Sequence, residues 1–295
     1  MALAEELGGE IVNADALQAY RGLDIGTAKP GAEERERVPH HLIDILEPHE
    51  RWSAGDFARR AREAIAEIRG RGKRPIVVGG SGLYQRALFQ GLSPIPPGDP
   101  EVRQELRDRL EGEGLPALLG ELRRLDPETA ARIAPGDTQR ILRALEVALV
   151  CGEPLSLYIS RQPFGSQSIA AARVGLTLPR GILYDQIAER VVRMVEKGWV
   201  DEVAGLLARG LSADLPAFQA IGYRQIVQYL EGTWSLDRAT AETIRATRRF
   251  AKRQETWFRK ETDITWFSAQ DLNRLLLSRV LDYAKHIGGP GGAYG

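Results

Sequence analysis

The sequence predicts an α/β protein, an open doubly wound parallel sheet carrying a helical insertion, on three observations. Strand-like runs at 10–15 and 76–78 alternate with helical stretches, the pattern of a sheet covered by helices. A proline-rich break, SPIPPGDP (93–100), then interrupts that alternation. Beyond it lie short helical segments with few strand candidates until RVGLTL, near Val174, returns to the sheet. The 295 residues suffice for one large α/β domain with an insertion. The predicted division is an α/β core with C-terminal helices at 1–92 and 171–295, and a helical insertion at 93–170.

Each element has a local reason. EIVNAD (10–15) reads as a short buried strand ending in a carboxylate, with Gly8 and Gly9 closing a two-turn helix before it. Ser53 reads as the N-cap of a helix over 53–69, with apolar spacing at Phe57, Ala61, Ala64, Ile65 and Ile68. RGKRPIVVGGSGLYQRALFQG reads as turn, strand, glycine turn and helix, and its strand Ile76 to Val78 suits a parallel sheet covered on both faces. The insertion carries helices at about 101–112, 115–124, 127–133 and 138–151. Helices follow at about 183–208, 237–260 and 269–286, and GGPGGAYG reads as a disordered tail.

Bulk composition narrows the class. With 43% apolar and 27% charged residues the chain fits a soluble globular protein. No apolar run approaches the ~18 residues of a membrane helix, and MALAEELGGE lacks the basic flank and apolar core of a secretory signal. A single cysteine, Cys151, excludes an intrachain disulfide and fits a reducing compartment, hence the cytoplasm. Basic and acidic residues both total 40, yet the distribution is uneven. Between 245 and 260 stand Arg245, Arg248, Arg249, Lys252, Arg253, Arg259 and Lys260 against one acid, Glu255. At ~100° per residue these seven cations fall in an arc of roughly 140°, with Phe250, Gln254, Trp257 and Phe258 opposite. One face therefore packs while the other offers dense positive charge to a polyanion, RNA or DNA.

Asp15 stands at the predicted carboxyl end of a strand, where open α/β sheets place ligands. It reads equally as a general base, a carrier of a hydrated metal, or a turn cap. Asp24, Thr27 and Lys29 in DIGTAKP read as phosphate contacts or as a plain loop. Gly79-Gly80-Ser81-Gly82 opens a helix after a strand, a junction whose backbone N–H groups favour anions. Close packing also selects glycine there, and Ser81 could be an N-cap. Arg140 and Arg143 share a helix face. His40, His41, His49 and His286 show no zinc-ligand spacing.

With these segments placed, the sequence resembles the bacterial tRNA dimethylallyltransferase family. The matching stretches are NADALQAYRGLDIGTAKP, VPHHLIDI, VVGGSGLYQRAL, DTQRILRALEV, QAIGYRQ and TRRFAKRQETWF, in family order over nearly the whole chain. The resemblance implies a P-loop kinase-like core with a helical insertion. It also implies transfer of the dimethylallyl group of dimethylallyl diphosphate to N6 of adenosine 37 in the tRNA anticodon loop, assisted by Mg²⁺. It assigns Asp15 as general base, Ser81 (commonly threonine in the family) near the reacting centre, and Arg190 to the departing diphosphate. Contacts to tRNA are implied for Asp15, Ala16, Leu17 and Gln18, for Arg103, Gln139, Arg140 and Arg143, for Gln219, Gly222, Tyr223 and Arg224, and for Lys252, Arg253, Gln254, Trp257 and Arg259. A monomer is implied.

Two departures from the family pattern stand out. Ala16 takes a position where the family usually has serine. The family also places a GPT-x-x-GK-S/T loop and a strand ahead of ALALAEELGGEIVNAD. The expectation is therefore that the diphosphate cradle, its lysine and a central strand are absent here, with a start further upstream as the leading explanation. Two other readings stay open, a tRNA-binding remnant without catalysis and a small-molecule kinase on the same type of core.

Overall fold

The computed structural model describes residues 1–92, 95, 98–161, 169–270 and 274–287. The chain divides into two compact units, Met1–Leu88 with Ala170–Gly295, and Phe89–Ile169. Half of SPIPPGDP (Ser93, Pro94, Pro96 and Pro97) and the tail GGPGGAYG lie outside the described residues.

The first unit begins with α1 (Ala2–Leu7), β1 (Gly9–Asn13), α2 (Ala32–Arg37), β2 (His40–His41), α3 (Ala54–Gly70), β3 (Arg74–Val78) and α4 (Gly82–Phe89). Gly8 ends α1 in the left-handed conformation, φ 58°, which a residue with a Cβ adopts at a cost. Ser53 caps α3 as the sequence predicts. Its hydroxyl accepts from the Asp56 N–H, and the Asp56 carboxylate accepts from the Ser53 N–H. The strands form a parallel sheet in the order β2-β1-β3, with Asn13 opposite Val78. That register sets the residues after β1 beside those after β3.

The second unit is helical: α5 (Pro100–Glu113), α6 (Leu115–Leu125), α7 (Pro127–Arg132), α8 (Thr138–Cys151) and α9 (Leu155–Arg161). Asp99, Asp126 and Asp137 cap α5, α7 and α8 through their carboxylates. Leu106, Leu118, Leu122, Ile141 and Leu145 meet in its interior at helical spacing.

The first unit resumes with β4 (Arg173–Thr177), α10 (Arg180–Glu196), α11 (Trp199–Ala208), α12 (Tyr223–Leu230), α13 (Leu236–Phe258), β5 (Ile264–Ser268) and α14 (Arg274–Ile287). The helix expected over 183–208 is two, because Gly198 adopts φ 93° and ends α10. The largest core cluster joins Tyr20 and Leu23 to Val191, Trp199, Val203, Phe218 and Tyr223.

Two expectations about the sheet change. RVGLTL does not rejoin the first sheet: β4 pairs with β5, so the described strands form two parallel sheets of three and two. β3 is not covered on both faces either. Its residues are half-buried, and Val78 is 50% exposed.

Candidate active site and nucleic-acid interface

β1 ends at Asn13, whose buried amide fixes the turn that follows. Its Nδ2 donates to the Asp15 and Leu42 carbonyls, both at 3.1 Å, and its Oδ1 accepts from the Asp15 N–H. Asp15 is half-buried. Its Oδ1 accepts from the N–H of Leu17 (2.8 Å) and of Gln18 (3.4 Å), an Asx turn. Its Oδ2 has no hydrogen-bond partner among the described residues. The turn-cap and general-base readings of Asp15 are thus compatible, one oxygen serving each.

Three non-glycine residues with positive φ surround this turn: Ala28 (50°), Leu42 (63°) and Asp44 (55°). Strain of this kind persists where the surroundings over-determine it. The Asp44 N–H donates to the Gln18 carbonyl, and those of Ile45 and Leu46 donate to the Ala19 carbonyl. Lys29, read from sequence as a phosphate contact or a loop residue, is committed to the loop. Its ammonium is buried and bonds the Tyr20 carbonyl (2.7 Å), Asp24 Oδ1 (2.6 Å) and Asp44 Oδ1 (2.6 Å). Burial alone would raise the Asp44 pKa, but Lys29 and Arg35 beside it outweigh this and hold it below the usual carboxylate value. Thr27 is also internal, its hydroxyl donating to the Leu23 carbonyl at 2.7 Å.

Next to the Asp15 turn runs Gly79–Gly82. The Ala14 N–H donates to the Val78 carbonyl at 2.8 Å. A Cβ on Gly79 would overlap the Ala14 backbone, one on Gly80 the Gln254 amide, and one on Gly82 the Trp257 indole. Gly79 and Gly82 are therefore demanded by close approach of a backbone and a ring, whereas at Gly80 the Gln254 side chain could swing aside. Gln254 Nε2 donates to the Gly80 carbonyl at 2.9 Å, and Arg86 lies over the Trp257 ring at 4.6 Å. Ser81 is half-buried, and its hydroxyl has no partner among the described residues, so it does not cap α4. Parallel pairing of β1 and β3 brings Asp15 and Ser81 to adjacent strand ends. Arg190 is exposed on α10, with no hydrogen bond or ion pair among the described residues.

The basic helix is α13, and its charged face is close to the expected one. Arg245, Arg249, Lys252, Arg253, Arg259 and Lys260 are exposed. Arg245 pairs with Glu242, and Arg259 with Glu255, whereas Arg249 and Lys252 have no ion-pair partner among the described residues. Two positions differ. Arg248, at the edge of the arc, turns inward to donate to the Tyr184 carbonyl (3.1 Å) and stack on the Tyr184 ring. Phe250, placed on the packing face, is 41% exposed, and the Arg253 guanidinium lies over it.

Other expected RNA contacts divide by burial. Tyr223 is fully buried, and Gly222 at φ 92° lies against the Trp199 ring. Arg224 and Gln219 are exposed. In the helical unit Gln139 and Arg140 are exposed, while Arg103 and Arg143 both donate to Oε2 of the buried Glu146, at 3.1 and 2.7 Å. Sequence reasoning missed Glu146 and also Glu202 on α11, because an acid within a helix carries no local signal of a distant partner.

A carboxylate oxygen and a hydroxyl left free at neighbouring strand ends, with an arginine-crowded helix touching the same turn, define an α/β enzyme suited to a polyanionic substrate. Comparison with known proteins gives the family. The IPP transferase family model matches residues 18–261. The tRNA dimethylallyltransferase of Geobacter metallireducens is 49% identical over 281 residues, 95% of this chain and 91% of that one. Full-length tRNA isopentenylpyrophosphate transferase from Bacillus halodurans matches with a TM-score of 0.67 at 40% identity, over 95% of this chain and 88% of that one. A eukaryotic dimethylallyltransferase described as acting on tRNA matches with a TM-score of 0.75 at 26% identity, over 92% and 70%. The chain belongs to the IPP transferase family, and its core is of the P-loop kinase-like class.

Proposed function

We propose that this protein transfers the dimethylallyl group of dimethylallyl diphosphate to N6 of adenosine 37 in tRNA, releasing diphosphate. Family membership supplies the reaction class. The observation that carries the chemistry is that Asp15 Oδ2 and the Ser81 hydroxyl, both unpartnered among the described residues, stand at the ends of paired strands.

An exocyclic adenine amine is a weak nucleophile because its lone pair is delocalised into the ring. Asp15 Oδ2 accepts an N6 proton as the new C–N bond forms, and the C–O bond to diphosphate breaks with its electron pair on the departing oxygen. The capped Oδ1 holds the carboxylate in one orientation while this happens. The Ser81 hydroxyl can donate to an oxygen of the leaving group, and Arg190 supplies positive charge to it. Reaching N6 requires the base to leave the anticodon stack, a cost offset by RNA held along Arg249, Lys252 and Arg253.

Among the described residues no group of three His, Cys, Asp or Glu could hold a metal. We assign Mg²⁺ to the diphosphate oxygens and water, with no protein side chain as a direct ligand. Bound there, Mg²⁺ would neutralise charge on the departing diphosphate. No helix among the described residues is long and apolar enough to cross a membrane. We place the protein in the cytoplasm with its tRNA substrate, as a monomer.

Labelled dimethylallyl diphosphate, Mg²⁺ and tRNA are incubated with the protein, and label is followed into tRNA. Transfer to adenosine 37 supports the proposal. Binding of tRNA without transfer returns the remnant reading, and failure to bind tRNA at all overturns the assignment of α13.

A further inference from the structure

Glu202 lies in the first turn of α11, where an acid is favoured by the helix dipole and needs no further role. Its oxygens nevertheless reach another element. Oε2 accepts from the backbone N–H of Asp24 (3.0 Å) and Ile25 (2.6 Å), and Oε1 from the N–H of Gly26 (3.3 Å) and the Tyr223 hydroxyl (2.7 Å). Three successive N–H groups converging on one carboxylate form an anion nest, and hydrogen bonds to an ionised acceptor are the stronger kind. The Trp199 ring closes the arrangement, since a Cβ on Gly26 or Gly222 would overlap it. The nested segment leads to the catalytic turn. Gln18 Nε2 donates to the carbonyls of Thr27 (3.1 Å) and Ala28 (3.5 Å), and the Gln18 N–H donates to Asp15 Oδ1.

We infer that Glu202 is a positioning residue, latched by Tyr223, that fixes the 24–28 loop and through Gln18 sets the orientation of the Asp15 carboxylate. Tyr223 then serves the site from the core, consistent with its full burial. The functional half of this inference rests on the transferase reading, whereas the structural half stands alone. A glutamine at 202 keeps the shape but presents an NH₂ to a site built entirely of donors. Tyr223→Phe removes one of the four bonds and leaves the packing intact.

Hydrogen exchange on the unliganded protein tests the structural half. In Glu202→Gln the amides of Asp24, Ile25 and Gly26 should exchange on the order of tenfold faster, and those of Leu17 and Gln18 should follow by a smaller factor. Tyr223→Phe should show the same order of effects, weaker, which keeps the test valid if Glu202→Gln fails to fold. Unchanged exchange at 24–26 overturns the nest, and release there with Leu17 and Gln18 unmoved overturns the link to Asp15. With labelled substrate, both variants should lower kcat, Glu202→Gln by roughly tenfold or more, with tRNA Kd within about twofold. Full kcat in both variants, beside an active parent, overturns the positioning role and leaves the transferase reading untouched. An inactive parent fails the transferase reading while the exchange result still decides the latch.

Discussion

Replacing Lys29 by methionine keeps the length of the side chain and removes one ammonium from a place that water barely reaches. The Lys29 side chain is 1% exposed, Asp44 30% and Asp24 58%. Asp24 can recover its hydration, so its loss counts for little. The Tyr20 carbonyl loses its ammonium donor, and Asp44 keeps only Arg35. Each acceptor left short in a buried setting costs ~1–3 kcal/mol, and the partial exposure of Asp44 discounts its share. The sum is about 2–4 kcal/mol at pH 7. In urea this should lower the unfolding midpoint of the first unit by roughly 1 M, with little change in slope. The Asp44 pKa is depressed in the folded protein, so its contribution is present above the ordinary value and is lost as pH falls through the folded value. The gap between parent and variant should therefore narrow in acid. Equal midpoints at pH 7, or a gap as wide at pH 3 as at pH 7, would refute the assignment of Lys29 as a buried brace.

Asp15→Asn retains an oxygen to cap the turn but removes the proton acceptor, so kcat should fall by roughly 10²–10⁴-fold while tRNA affinity is kept; filter binding and single-turnover labelling measure the two. Arg249→Ala with Lys252→Ala removes two exposed cations that have no ion-pair partner among the described residues. The slope of log K against log salt should shrink by about 0.7 for each loop phosphate no longer neutralised, measured by salt titration of tRNA binding. Gln254→Ala should slow turnover more than it weakens tRNA binding, because its amide is bonded to Gly80. An equal loss in both would favour direct RNA contact.

Most helices were legible because their signals are local: Ser53 with Asp56 at one end of α3, or the arc of arginines on α13. The position of Asp15 after a strand was equally readable, since strand and turn lie within six residues. Most of what escaped depended on partners distant in sequence. β2 has only two residues and shows no period of its own, whereas β5 (ITWFS) carries the β-branched and aromatic residues of a strand and was simply missed. The GGSG turn could be read as an anion cradle or a packing device until Ala14, Gln254 and Trp257 were seen against its glycines. Glu202 gave no sign at all, because its four donors come from residues 24–26 and 223. Tyr223 fell in a stretch matching RNA-contacting segments, yet it is buried while Gln219 and Arg224 in the same stretch reach the surface.

The paired arginines of the helical unit carry one more consequence. Glu146 draws Arg103 and Arg143 onto one carboxylate while about a third of each side chain remains open to solvent. The bearing of both guanidinium groups is thus settled during folding. A long side chain gives up rotational freedom when it grips a ligand, at ~0.5–1.5 kcal/mol apiece. Here much of that loss has already occurred before any phosphate arrives, so a polyanion reaching this helix meets stiff, pre-aimed guanidinium groups.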